Sequence, residues 1–77
     1  MYNSIDIIFN FIREYSTKVY SLPRVTKLVI EYMKSGGYDA VVVDNTHKNY
    51  KDISVDGIRY RIVRNNDWLR YDVMTLS

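Results

Sequence analysis

The dipeptide Asp56-Gly57 lies between two runs in which apolar and polar residues alternate, Tyr50 to Val55 and Ile58 to Arg64. A two-residue hairpin turn needs positive backbone φ, which aspartate tolerates and glycine adopts freely, so this pair predicts an antiparallel hairpin. It also fixes the register. Val55 falls opposite Ile58, Ile53 opposite Tyr60 and Lys51 opposite Ile62 on one face, with Ser54 opposite Arg59 and Asp52 opposite Arg61 on the other. The first face is the expected core face and the second the expected outer face.

Two further strands extend the sheet. The β-branched run Val41-Val42-Val43, bounded by Gly36-Gly37 and by Asp44-Asn45, predicts a strand over 38–44 that is central and buried on both faces. Asn65-Asn66-Asp67 predicts a turn into a last strand over 68–74, with Leu69, Tyr71 and Val73 pointing inward. Its register against the third strand is left open by one two-residue step.

The first half of the chain repeats at helical spacing. Ile5, Ile8, Phe9, Ile12, Tyr15 and Val19 predict a helix over 4–19, with Asn3 as N-cap and Asp6 returning a capping bond. Ser21, Leu22 and Pro23 signal a second start, and Val25, Leu28, Val29, Tyr32 and Met33 carry that helix over 22–35 until Gly36-Gly37 end it. The expected fold is α+β, two N-terminal amphipathic helices packed on a three- to four-stranded antiparallel sheet in ααββββ order. At 77 residues one core, and so one domain over 1–77, is expected.

Composition narrows the chemistry. Without cysteine there is no disulfide, thiolate metal site or cysteine nucleophile, a usage that fits the reducing cytoplasm. His47 is the only histidine, so no metal site and no cofactor are expected. The most apolar stretch, Ile5 to Ile12, is interrupted by Asp6 and Asn10, and neither a signal peptide nor a membrane span is expected. No glycine-rich phosphate loop or nucleophile elbow occurs. Abundant isoleucine, asparagine, lysine and tyrosine point to an AT-rich coding sequence of the kind carried by phages, plasmids and archaeal viruses.

The expectation is therefore a small binding protein rather than an enzyme, and three readings follow. The outer sheet face gathers Tyr50, Arg59, Arg61, Trp68 and Arg70, arginines for phosphates and aromatics for unstacked bases, which suits DNA or RNA. A net charge of +2 permits that partner without demanding it, and Asp52 and Asp72 are placed to pair with Arg61 and Arg59. The second reading is a protein-binding regulator or inhibitor. Ile7 and Phe11 widen the apolar arc of the first helix, and either the second helix or a partner covers them. Ile7, Phe11 and Trp68 would be the anchors, and the same flank suits a homodimer.

The third reading rests on a resemblance. A helix, Gly36-Gly37-Tyr38, a strand, a turn with Thr46-His47, a strand carrying Tyr50 and the Asp56-Gly57 hairpin follow an order that resembles HicA-type messenger-RNA interferases. The resemblance implies a small ribonuclease using His47. The Gly-Ser-His-His run of that family is absent here, and Trp68 to Met74 stands where the family has a final helix.

Overall fold

The computed structural model describes residues 3–76. Helices α1 (Ser4–Ile12) and α2 (Leu22–Ser35) precede strands β1 (Ala40–Asp44), β2 (Tyr50–Val55), β3 (Ile58–Asn65) and β4 (Arg70–Thr75). The fold is α+β. The strands form one antiparallel meander in the order β1-β2-β3-β4, so each pairs only with its neighbours in sequence. Its inner face carries both helices, α1 against β4 and α2 against β1, β2 and β3.

The hairpin register follows the turn chemistry. Val55 pairs with Ile58, Ile53 with Tyr60 and Lys51 with Ile62, around Asp56 and Gly57 at φ 50° and 83°. Ile53, Val55, Tyr60 and Ile62 are buried against Ile8 and Ile12 of α1 and Val25, Val29 and Met33 of α2. The Tyr71 hydroxyl donates to the Tyr20 carbonyl, and burial pushes that phenol above its usual pKa while nearby Arg64 opposes the shift. Ile58 is the exception on this face, half exposed at the end of the hairpin.

Helix α2 has both predicted ends. The Ser21 hydroxyl accepts the Arg24 N–H at 3.3 Å. At the other end Gly37 N–H bonds to Lys34 and Tyr38 N–H to Met33, with Gly37 at φ 91°. Those two bonds satisfy carbonyls that the helix leaves open, as a left-handed C-cap does.

Helix α1 stops at Ile12 rather than Val19. Serine and threonine compete with helical bonding through their own side chains. The Ser16 hydroxyl accepts the Lys18 N–H at 3.1 Å, and Ser16 bridges to Arg70 instead of continuing the helix. Tyr15 still packs on the core, but Val19 is 75% exposed. Nor does the Asn3 side chain cap α1; its carbonyl accepts the Asp6 N–H at 3.0 Å.

The valine run is a strand, but it is neither central nor buried. β1 begins at Ala40 and forms the sheet edge, and Val41, Val42 and Val43 are all exposed. A meander leaves its first strand with one neighbour, and an irregularity between Val42 and Asp44 shifts the register there. The last strand is displaced too. β4 begins at Arg70, and residues 66–69 form the turn, so Trp68 and Leu69 are loop residues and Leu69 is exposed. Tyr71 and Val73 do face inward, Val73 opposite Ile62.

Candidate functional site

With both helices on the inner face, the outer face of the sheet stays open. It presents Asp44 of β1, Tyr50, Asp52 and Ser54 of β2, Arg59, Arg61 and Val63 of β3, and Arg70, Asp72 and Met74 of β4. Arg61 is the most firmly held. Its Nε donates to Asp52 Oδ1 at 2.8 Å and its Nη2 to Asp52 Oδ2 at 3.1 Å, the two-pronged geometry in which arginine and carboxylate match best. The Asp52 bonds hold the guanidinium above even its usual pKa.

Tyr50 is enclosed rather than displayed. The Arg61 guanidinium lies 3.8 Å from its ring centroid, and the His47 imidazole stacks at 4.2 Å with 19° between planes. One ring face does not hold two planar groups at such distances, so the two flank the phenol and leave no face for a base. Asp72 does not reach Arg59. It accepts from Asn65 Nδ2 at 2.8 Å and lies 3.5 Å from Arg70 Nε, close enough for an ion pair but not hydrogen-bonded, so that buried nitrogen has no bonded partner among the described residues.

Charge on this face therefore balances. Arg59, Arg61 and Arg70 stand against Asp44, Asp52 and Asp72, and a polyanion is drawn by surplus positive charge rather than by paired charge.

Trp68 lies beside this face on the β3–β4 turn and is 71% exposed. The turn that carries it is held from several sides. Asn65 Oδ1 accepts the N–H groups of Asp67 and Trp68, both at 3.1 Å, and the Leu69 carbonyl accepts the Thr17 N–H at 3.0 Å. Leu69 sits at φ 54°, a left-handed conformation that bulky residues avoid and that surrounding structure must enforce. The Arg70 guanidinium lies 5.8 Å from the indole. The 13–20 segment, joined to this turn by the Thr17–Leu69 bond, also carries exposed Val19.

The flank of α1 is covered from within. Phe11 stacks on Tyr32 of α2 with centroids 4.2 Å apart, and Ile7 and Phe11 both pack against the core. A shallow opening of about 400 Å³ remains between the helices, lined by Ile7, Phe11, Tyr15 and Tyr32 among others.

His47 Nε2 lies 3.6 Å from Asp44 Oδ2. The backbone N–H and the hydroxyl of Thr46 both donate to Asp44 and hold that carboxyl below its usual range, with His47 and Lys51 adding to the effect. Lys51 of β2 turns its ammonium to the carbonyls of Asn45 and His47 in this loop, at 2.6 Å each. The groups beside the imidazole are thus Asp44, already held by Thr46, and the Tyr50 ring.

Among the described residues no group of three acidic, histidine or cysteine side chains is placed to hold a metal. No described helix is long and apolar enough to cross a membrane. The chain matches no family model, no curated protein and no solved structure. The likeness to the interferases stays one of element order.

Proposed function

We propose that this chain is a non-catalytic binding protein that docks on a partner protein through Trp68. The exposed tryptophan on a bonded turn carries this reading. Tryptophan is among the residues that dominate interface energies, and a side chain displayed by a pre-ordered loop loses less entropy on binding. Leu69 adds apolar surface next to it, and Arg70 stands at its edge. The balanced charge of the neighbouring sheet face favours a protein over a polyanion. A cysteine-free chain of this kind suits the cytoplasm and a regulatory or inhibitory role.

The test uses the indole itself, because Trp68 is the only tryptophan in the chain. Its emission in the free protein is expected at the long wavelengths of a hydrated indole, moving to shorter wavelength and resisting iodide quenching when the partner is added. Trp68→Ala is expected to weaken capture at least tenfold with an unchanged circular dichroism spectrum. Capture that survives this substitution rejects the reading.

Nucleic acid is the second reading, favoured by Arg59, which makes no ion pair among the described residues, together with the Trp68–Arg70 pair. It requires that a gel shift with single-stranded DNA or RNA weaken steeply with salt and with Arg59→Glu. Absent or salt-insensitive binding removes it.

A further inference from the structure

The two outer edges of the sheet differ. At β4 the edge is partly closed, since Ser16 bridges to Arg70 and Thr17 bonds to Leu69. At β1 it is open along Val41, Val42 and Val43.

Which backbone groups face that edge follows from the hydrogen-bond phase. The Asp56 N–H donates to the Asp39 carbonyl at 2.9 Å, one step before the Ala40–Val55 pair. In an antiparallel ladder, residues alternately turn N–H and C=O toward the partner strand and away from it. Asp39 and Val41 therefore face β2, while Ala40 and Val42 turn outward. Ala40 is fully buried, whereas Val42 is 43% exposed, so Val42 presents a donor and an acceptor side by side.

The side chain of Val42 points to the inner face. There it meets Pro23, Thr26 and Ile30 of α2 across a groove of about 450 Å³, whose lining is completed by Lys27, Asn45 and Lys51. No acidic residue lines it. Lys51 is only 8% exposed, and its ammonium bonds to two neutral carbonyls with no carboxylate within 4.0 Å among the described residues. A buried ammonium ordinarily has a carboxylate beside it. The carboxylate of the same loop, Asp44, is bonded to Thr46.

We propose that the α2–β1 groove binds an extended acidic segment of a partner protein. Its main chain pairs with Val42, an apolar side chain enters between Val42 and Ile30, and its carboxylate approaches Lys51 and Lys27. Strand addition with an alternate side chain in a pocket is a general mode of peptide recognition. A simple carboxylate would leave the paired donor and acceptor of Val42 unused. A second copy of this chain fits less well, because the acid at the end of its own β1, Asp44, lies on the outer face and is already bonded to Thr46. The site is separate from Trp68 and does not depend on the role given to that residue.

The experiment is fluorescence polarisation with a labelled peptide Ser-Glu-Ser-Val-Ser-Glu-Ser, whose glutamates share a face with its valine when extended, and its counterpart with both glutamates replaced by glutamine, against the whole chain. Saturable binding of the first is expected, at least tenfold weaker for the second and at least tenfold weaker with Lys27→Glu. Lys27 is exposed, so that reversal leaves the fold intact, whereas Lys51 is buried and bonded to two carbonyls. Amide shifts on titration are expected at Val42 and along 24–30. Trp68→Ala should leave the affinity unchanged. Equal affinity for the two peptides, a dissociation constant weaker than about 1 mM for the acidic one, or shifts confined to Trp68 and the outer face overturn the proposal. So does light scattering that shows a dimer whose dissociation is required before the peptide binds.

Discussion

Asp56 and Gly57 show how much two residues can decide. Asp56 takes positive φ, and it also clamps the start of β1, since its carboxylate accepts the Asp39 N–H at 2.8 Å and its own N–H donates to the Asp39 carbonyl. At Gly57 an added Cβ would meet nothing within 4 Å. Any penalty for a side chain there comes from the backbone alone, about 1–2 kcal/mol for an L-residue in the left-handed region. Gly57→Ala is expected to lower the unfolding free energy by that amount, read as a lower urea midpoint with an unchanged m-value, and Gly57→Asn to cost less, since asparagine tolerates that region better. A loss near zero would mean that the hairpin relaxes into another turn. This chemistry is local, which is why the turn and its register were legible in the sequence. Tyr50 was not legible in the same way. Its enclosure depends on Arg61 of β3 and on His47 from the preceding loop, and no spacing rule announces that both will converge on one ring.

Elements separate along the same line. Helix α2 and strands β2 and β3 are bounded by serine, proline, glycine and turn pairs, and the sequence marks where they begin and end. Helix α1 has a clear apolar period but no breaker after Ile12, and the bridge from Ser16 to Arg70 that redirects the chain is a contact between distant segments. The valine run of β1 announces a strand without saying which place in the sheet it takes. Its far end leads into the β1–β2 loop, where acid should act later than on an ordinary aspartate. Thr46 holds the Asp44 carboxyl below its usual pKa, so the folded value is lower than the unfolded one. The contribution of that loop is complete above the unfolded value and is lost as pH falls through the lower folded value. The Thr46 amide resonance is expected to titrate with a midpoint below that of an ordinary aspartate, and to lose that transition in Asp44→Asn. A midpoint at or above the ordinary value would show that the two Thr46 bonds do not persist in solution.

At the scale of the whole molecule, the two helices claim one face of the sheet, and what remains for partners is divided between its two sides. Trp68 adjoins β4 and the groove adjoins β1. Three strand spacings of about 4.8 Å separate those edges, so the sites lie on the order of 14 Å apart. They share no side chain, and the rigid ladder between them offers no alternative packing through which one site would sense the other. Substitutions more than about 7–10 Å apart with no common partner add to within about 0.5 kcal/mol. In a double-mutant cycle, Trp68→Ala and Lys27→Glu are therefore expected to act independently, each reducing only the binding at its own edge, with an interaction energy inside that margin. Such independence would let one sheet hold two partners together. A coupling energy well beyond it would require the sheet to shift as a unit, and hydrogen exchange at the β2 and β3 amides would then change when either edge is occupied.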